Sequence, residues 1–280
     1  MARTRRNREA RSFRFFLAPD LVPESGSTGP VPGSTVELAE GELEHATRVL
    51  RLPVGARLEI LDGRGGRATA ELEGEGSRRR SIRLISALER SPLAGRPGAP
   101  LPHVELLVPP PRGARFEALL DRATQLGAAR IRPLICEHTG PEDRAAKRDR
   151  QLRVLREACK QSGNLQLPAL EEPALLGNAL ESSPRPVFFL EPRATLSLPQ
   201  AFAALPETPR RLAVAAGPEG GFSPDERDLL AEAGALPVRL APHILRIETA
   251  AEAALAIVVA AAWNAGPLSQ RTGEPEAPSD

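Results

Sequence analysis

Two short segments in the second half of the chain combine residue types that suit small-molecule binding. The first, residues 215–226, is AAGPEGGFSPDE, in which a small-residue run stops at Gly-Pro-Glu-Gly-Gly. The second, residues 237–252, is PVRLAPHILRIETAAE. Glycines let main-chain N–H and C=O groups approach a flat ligand closely, and the first segment adds one carboxylate, Glu219. The first segment therefore predicts a loop that recognises a ligand through its backbone, although a tight turn without a ligand has the same local pattern.

Each segment is expected to connect a strand to a helix. Ser223 is a good N-cap, Pro224 suits the first helical position, and Glu226 has the spacing of a capping box. Thr249 and Glu252 repeat that spacing, which predicts a second capping box with a helix that begins at the next residue. Ligands of open α/β sheets bind outside the carboxyl ends of the strands. Two βα loops there predict a pocket.

Several common nucleotide-binding, metal and hydrolase sites are excluded because their motifs are absent from the sequence. The chain has no G-x-x-x-x-G-K-[ST], HExxH or G-x-S-x-G pattern. GRGGRA, residues 63–68, matches a dinucleotide-binding pattern, but an alternating strand follows it instead of a helix, so we interpret it as a hairpin turn. No metal site is predicted, because metal-ligand spacing is lacking among the four histidines, His45, His103, His138 and His243.

Composition indicates an ordinary globular protein. Of 280 residues 41% are hydrophobic and 26% are charged, and a net charge of +1 neither favours nor excludes nucleic acid. Cys136 and Cys159 are the only cysteines, which favours a reducing cytoplasm. The most apolar stretch, residues 250–263, is short and contains Glu252, so it predicts a buried helix instead of a membrane span.

The chain divides into two predicted domains. Residues 13–92 contain short alternating runs, a Gly-rich turn and a short helix near 43–51, which predict a small β-rich, barrel-like domain. A Pro- and Gly-rich linker follows at 91–102. From residue 100 to 265, strands alternate with helices, which predicts an α/β domain with a mostly parallel sheet. The basic tail 1–12 and the Pro-rich tail 266–280 are expected to be disordered.

At the two loops the sequence resembles a known family. GPEGGFSPDE followed by LAPHILRIETAAEAAL is similar to the signature of the 16S rRNA uridine-N3 methyltransferases, a branch of the SPOUT superfamily. Weaker similarities upstream are RFF (14–16), HATRVLRLPVG (45–55), FEALLDRATQLGAARIRPL (116–134) and EACKQSG (157–163). The resemblance covers about residues 13–265, and its most specific part is the pairing of GPEGG with ILRxETA.

The resemblance implies a fold, a cofactor and a partner. The expected fold is α/β, with a SPOUT-type trefoil-knotted, mostly parallel sheet that has helices on both faces, preceded by a PUA-like RNA-binding β-barrel domain. Members bind S-adenosylmethionine, act as homodimers and methylate N3 of a uridine in 16S rRNA of the small ribosomal subunit. The cofactor-binding residues carried over are Leu190, Glu191, Pro192, Gly217, Pro218, Glu219, Gly220, Gly221, Leu240, Ala241, Ile244, Leu245, Glu248, Thr249 and Ala250.

Two residues are candidates for the chemistry. Transfer to uracil N3 requires removal of the imide proton and stabilisation of negative charge on O2 and O4. Arg246 is expected to stabilise that charge or to hold the substrate phosphate, and its alternative role is an interface salt bridge. Glu219 is expected to position the sulfonium or to accept the proton, with a brace for its loop as the alternative. Glu248 is also expected to support the helix N-terminus through the dipole.

Arginines are expected to contact RNA, because phosphate neutralisation supplies most of the binding free energy. We predict this role for Arg14, Arg48 and Arg51 in the small domain and for Arg112, Arg115 and Arg122 beside the pocket, although each could equally be a solvated surface charge. With one Trp, no Tyr and eight Phe, base stacking is poorly supported.

The chain departs from the family pattern at positions that keep other functions open. It has Ala241 for a glycine and His243 for an arginine in the second loop. On the helices that are expected to face RNA, Lys160 replaces an acid, Asn164 replaces an arginine, and DRATQLG replaces xKATELG. Lys160 and Asn164 keep open a SPOUT RNA methyltransferase with a changed RNA target, and a non-catalytic RNA-binding assembly protein is a further alternative.

Overall fold

The computed structural model describes residues 13–23, 29–75, 79–90, 101–139 and 145–264. The chain forms two compact units, one of residues 1–91 and 160–166 and the other of residues 92–159 and 167–280. Each tail and the predicted linker lie almost wholly outside the described residues. Among the described residues, no helix has both the length and the apolar character that a membrane span requires.

The first unit is a mostly antiparallel β-sheet with a short helix. The sheet order is β1-β3-β4-β5-β2, with β6 paired to β4, and all neighbours are antiparallel except β1 and β3. The elements are β1 (Phe13–Phe16), β2 (Thr35–Val36), α1 (Glu42–Glu44) with a π-helical turn (His45–Val49), β3 (Arg57–Leu61), β4 (Gly66–Glu75), β5 (Arg79–Leu84) and β6 (Glu89–Arg90). Residues 62–65 connect β3 to β4, which pair antiparallel, so the predicted hairpin at GRGGRA is confirmed.

Alternation explains the core of this unit. In β4, Ala68, Ala70 and Leu72 are buried while the residues between them face outward, which is the period-2 pattern of a half-buried strand. Residues 160–166 also belong to this unit. The ammonium of Lys160 is 3.0 Å from a carboxylate oxygen of Glu42, and both side chains are almost fully buried. The departure at Lys160 is therefore matched by an ion pair inside the protein.

The second unit is a parallel sheet covered by helices. Its order is β10-β8-β7-β12-β11-β13, with β9 on β8, and every described pair of strands is parallel. The elements are β7 (His103–Val108), α2 (Arg115–Gln125), β8 (Ala128–Ile135), α3 (Ala145–Ser162), β9 (Ala169–Leu170), β10 (Ala174–Leu175), α4 (Leu176–Ser182), β11 (Val187–Leu190), α5 (Leu198–Ala203), β12 (Arg211–Ala215), α6 (Pro224–Glu232), β13 (Leu236–Val238) and α7 (Ile247–Asn264).

Both faces of this sheet are buried, which explains why its strands are continuous apolar runs. Leu106 and Val214 point to the face covered by α2, α5 and α7, while Leu107 and Ala215 point to the face covered by α4 and α6. The predicted fold class, an α/β domain with helices on both faces of a mostly parallel sheet after a small β domain, is confirmed. The trefoil knot stays a prediction.

One predicted helix start is wrong. We expected Thr249 to cap a helix that begins at residue 250, whereas α7 begins at Ile247 and the N–H of Ala250 donates to the carbonyl of Arg246 at 2.8 Å. Thr249 is therefore inside the first turn and exposed. The reason is packing, because Ile247 is buried in the same core cluster as Ala251 and Leu255, which extends the helix toward its N-terminus.

Candidate active site

A cleft of about 910 Å³ opens beside the carboxyl ends of β11, β12 and β13. Its volume falls within the range of roughly 300–1,000 Å³ that is typical of small-molecule sites. Three connections form it, at residues 190–193 after β11, 216–222 after β12 and 238–247 after β13. Because these strands are parallel neighbours, their carboxyl ends meet at one edge of the sheet. The position is the one predicted from the sequence.

The GPEGG loop requires bare backbone at two points. A Cβ built on Gly217 would lie 3.1 Å from Cδ2 of the Phe222 ring and 3.3 Å from the Phe222 backbone nitrogen, closer than side-chain atoms normally approach. Gly221 has a φ of +76°, a conformation that costs a residue with a Cβ. Its N–H donates to the Pro218 carbonyl at 2.8 Å, which closes the turn. The loop thus presents main chain to the cleft.

The helix after this loop is fixed by the predicted capping box. The Ser223 hydroxyl accepts from the N–H of Glu226, and the Glu226 carboxylate accepts from the N–H of Ser223 at 2.8 Å. The second carboxylate oxygen of Glu226 accepts from the N–H of Glu137, just after β8, at 3.0 Å. One buried carboxylate therefore ties the start of α6 to the end of a neighbouring strand.

Cys136 lies beside this carboxylate and is not a nucleophile. Burial, followed by the nearby charge of Glu226 and a hydrogen bond to it, raises the pKa of the Cys136 thiol to about 12. Burial alone raises the pKa of Cys159 to about 12 as well. Thiolate chemistry at neutral pH is therefore excluded at both cysteines. Among the described residues no cluster of His, Cys, Asp or Glu could hold a metal ion.

The third connection is held by backbone pairing and by α7. Arg239 exchanges main-chain hydrogen bonds with Leu196 and Leu198, at 2.9 and 3.0 Å. Most residues from there to Arg246 line the cleft. The Arg246 carbonyl accepts from the N–H of Ala250 at the start of α7. Ile244, within this connection, is 86% exposed.

Ion pairs neutralise the carboxylates of the cleft. Arg115, at the start of α2, has a guanidinium nitrogen 3.3 Å from Glu219 and 3.7 Å from Glu248. Arg227 on α6 lies 3.1 Å from Glu191. Glu219 is 68% exposed, so its pairing with Arg115 is a surface interaction, whereas Glu248 is almost fully buried. One oxygen of Glu248 has no hydrogen-bond partner among the described residues.

The structure brings most of the predicted cofactor residues together. Apart from Glu248 and Thr249, which lie in the first turn of α7 and do not line the described cleft, every residue carried over from the family resemblance lines it. These are Leu190, Glu191, Pro192, Gly217, Pro218, Glu219, Gly220, Gly221, Leu240, Ala241, Ile244, Leu245 and Ala250. The candidate catalytic residue Arg246 and the departure His243 line it as well.

The arginines that we predicted to bind RNA are more dispersed. Arg14 donates to Glu59 and to the Lys160 carbonyl, both at 2.7 Å. Arg48 pairs with Glu44 one helical turn away, and Arg51 is exposed with a φ of +51°.

In the second unit only Arg115 of the three predicted arginines lines the cleft. Arg122 pairs with Glu252 at 2.7 Å, which joins α2 to α7. Arg112 is exposed just before α2, and its carbonyl accepts from Arg115 at 3.2 Å. Whether these side chains contact RNA stays a prediction.

Three arginines of the cleft were missed by sequence reasoning. Arg193 and Arg239 follow the carboxyl ends of β11 and β13, and Arg227 is on α6. A signal was present for the first two, because each stands beside a residue that we assigned to the cofactor, Pro192 and Leu240.

Comparisons with known proteins agree with this architecture. A family model described as an RNA methyltransferase domain matches residues 98–259, and one described as an RNA methyltransferase PUA domain matches residues 38–84. The fold is thus that of the RNA methyltransferase class. Curated relatives refine that class. A protein named ribosomal RNA small subunit methyltransferase E from Synechocystis is 32% identical, over 88% of this chain and 76% of its own length. One of the same name from Mycobacterium bovis is 31% identical, over 88% and 92%.

The chain therefore belongs to the RNA methyltransferase family whose curated members are named ribosomal RNA small subunit methyltransferase E. Solved structures are similar along nearly the whole length. One from Legionella pneumophila, in complex with the cofactor SAM, has a TM-score of 0.75 and 29% identity, covering 89% of this chain and 98% of its own. A small subunit methyltransferase E from Neisseria gonorrhoeae bound to S-adenosyl methionine has a TM-score of 0.70 and 28% identity, covering 88% and 95%.

Proposed function

We propose that the chain is an S-adenosylmethionine-dependent methyltransferase that methylates N3 of a uridine in 16S rRNA of the small ribosomal subunit. The observation that carries this proposal is the cleft, in which the GPEGG loop and the ILR segment lie together at the carboxyl edge of the parallel sheet. Family membership supports methyl transfer to small-subunit rRNA, since the relatives bear that name and solved neighbours hold the cofactor. The choice of uridine N3 rests on the sequence resemblance.

The residues of the cleft fit S-adenosylmethionine. Main chain at Gly217 and Gly221, which lacks side chains of its own, suits hydrogen bonding to a flat heterocycle and a ribose. Leu190, Leu240 and Leu245 give the cleft apolar walls for the purine. When bound, the cofactor supplies an electrophilic methyl group on a sulfonium. The chain itself must hold the RNA base, stabilise its charge and receive its proton.

Arg246 suits the stabilisation of negative charge on the base. It is exposed, lines the cleft and makes no side-chain hydrogen bond or ion pair with any described residue, so its donors are available to an oxyanion. A guanidinium can donate two hydrogen bonds to uracil oxygens or to a phosphate. Glu219 suits the positioning of positive charge at the cleft mouth. Its carboxylate is 3.3 Å from the guanidinium of Arg115, which holds it beside the start of α2.

A homodimer and a cytoplasmic location are part of the proposal. After Glu252 the outer side of α7 carries no charge and exposes Ala256, Ala260 and Trp263. Small residues allow a second helix to approach closely, and the same helix begins at the cleft. We assign this face to a second copy of the chain, consistent with the family resemblance. Two cysteines that are both free and buried are compatible with a reducing compartment.

Mapping of modified nucleosides tests the function. Small-subunit rRNA from cells with and without this protein is digested and analysed by mass spectrometry. We expect one N3-methyluridine to be lost on deletion and restored by the wild-type gene. Loss of a different methylated nucleoside would favour the alternative of a changed target. An unchanged nucleoside profile, together with no heat of S-adenosylmethionine binding in calorimetry, would favour the non-catalytic assembly protein.

A further inference from the structure

Arginines outnumber carboxylates among the residues that line the cleft. Five arginines and two glutamates line it, and His243 is the single histidine among the lining residues. The chain as a whole has a net charge of +1. The charged residues are Arg115, Arg193, Arg227, Arg239, Arg246, Glu191 and Glu219. Because the whole chain is almost neutral, the surplus of arginines is a local property of the cleft.

Ion pairing concentrates that surplus on three side chains. Glu219 is paired with Arg115, and Glu191 is paired with Arg227. The other three arginines of the cleft are exposed and make no side-chain hydrogen bond or ion pair with any residue that the structure describes. Both carboxylates are thus already neutralised. Once Glu248, which shares Arg115 with Glu219, is counted, the unpaired arginines leave the cleft with a net positive charge of about two. Low-dielectric walls focus the field of such a charge.

Two of the unpaired arginines, Arg193 and Arg239, follow neighbouring strands at the carboxyl edge of the parallel sheet. The N–H of Glu191, directly after β11, donates to the carbonyl of Val238, the last residue of β13, at 2.9 Å. Arg193 follows the first of these residues by two positions and Arg239 follows the second directly. The backbone of Arg239 is further fixed by its pairing with Leu196 and Leu198. Anchored main chain with solvated guanidinium groups is an arrangement that suits a polyanion.

We infer that Arg193 and Arg239 bind backbone phosphates of the RNA strand beside the target nucleotide. The inference rests on the proposed function and adds to it a phosphate-binding edge along the cofactor cleft. Phosphate is the anion that an RNA substrate must bring to this edge when one of its bases enters the cleft, and guanidinium groups bind it bidentately. Arg246 remains free to act on the base itself.

A competing anion is the carboxylate of the cofactor's methionine part. A carboxylate would engage one guanidinium and would couple these arginines to S-adenosylmethionine affinity. RNA phosphates would bind both guanidinium groups, so substitution of these arginines would change RNA affinity and its salt dependence. Each neutralised phosphate of a single strand contributes about −0.7 to the slope of log K against log salt. The two sources are therefore separable by measurement.

The test uses the full chain with Arg193→Gln and Arg239→Gln, singly and together. Binding to unmodified 16S rRNA is measured between low and physiological salt, and S-adenosylmethionine binding is measured by calorimetry. We expect each single change to weaken RNA binding roughly 10-fold at low salt. The double variant should have a salt slope shallower by about 1.4. Cofactor affinity should stay within about 2-fold of wild type, and Arg→Lys should restore part of the RNA affinity because charge is kept.

Arg211→Gln is the matched control. Arg211 is exposed and begins β12, so it lies at the amino edge of the sheet, away from the cleft. It should leave RNA affinity and slope unchanged. Wild-type RNA affinity in the double variant would overturn the inference, and so would a large loss of cofactor affinity with RNA binding kept. Nucleoside analysis of the same samples separates failure of the inference from failure of the proposed function. If the wild-type protein does not methylate small-subunit rRNA, the proposed function itself is wrong.

Discussion

At the scale of single residues, the arginines that line the cleft are of two kinds. Some form ion pairs with carboxylates of the protein, and the others have no side-chain partner among the described residues. Arg115 and Arg227 are used to neutralise Glu219 and Glu191, whereas Arg246 has no partner among the described residues. The sequence indicated Arg246 and Glu219 as candidates because of their motifs. It could not indicate that Arg115 would pair with Glu219 from 104 positions away. Such pairing depends on tertiary structure, and an arginine in a sequence has no local signal of its partner.

Replacement of Arg246 by alanine tests its role in transfer. Loss of a charge-stabilising donor typically lowers kcat by about 10²–10³-fold. The side chain is exposed, so the melting temperature should change little. Turnover on small ribosomal subunits and thermal unfolding are measured on the same preparation, with Arg211→Gln as the surface control. Turnover of Arg246→Ala at the wild-type rate would remove this residue from the mechanism.

At the scale of elements, local patterns predicted strands and helices well where burial and capping agreed. Ser223 and Glu226 form the capping box that their spacing predicts, and α6 begins at the expected residue. The same spacing at Thr249 and Glu252 misled us, because burial of Ile247 against the sheet starts α7 earlier. A capping pattern predicts a helix start only when the residues before it are free to leave the helix. That freedom is decided by packing between distant segments.

Glu226→Gln tests the connection between α6 and the end of β8. The two carboxylate oxygens accept from different N–H groups, those of Ser223 and Glu137. The glutamine side chain has only one acceptor oxygen, so its NH₂ group would face one of these two buried N–H groups and leave it without an acceptor. We therefore expect the free energy of unfolding to fall by about 2 kcal/mol. Urea denaturation measures the change.

The control for Glu226→Gln is Asp225→Asn. Asp225 is in the same first helical turn but is exposed and has no side-chain partner among the described residues. Its substitution removes the same charge from the helix N-terminus and should cost about 0.5 kcal/mol. Equal losses in the two variants would show that charge at the helix end, and not the link to Glu137, accounts for the stability.

At the scale of the whole molecule, composition and alternation predicted a β unit followed by a parallel α/β unit. They did not predict that residues 160–166 belong to the first unit. That assignment involves contacts such as Lys160 with Glu42, which are 118 positions apart. Sequence patterns describe neighbours along the chain, so the path of a segment between units escapes them. The proposed homodimer is similar in this respect, since its interface is a surface that only the folded chain reveals.

Ala256→Glu tests the proposed dimer. Ala256 is exposed on the uncharged side of α7, where glutamate is a good helix former, so the monomer fold should be kept. In a dimer that uses this face, the new carboxylate would be buried without a partner, at a cost of several kcal/mol. Light scattering after size exclusion should give twice the chain mass of 30.0 kDa for wild type and a mass near that of one chain for the variant. Ala231→Glu, on the exposed side of α6, should stay dimeric. A dimeric Ala256→Glu protein with a wild-type melting temperature would place the second copy on another face.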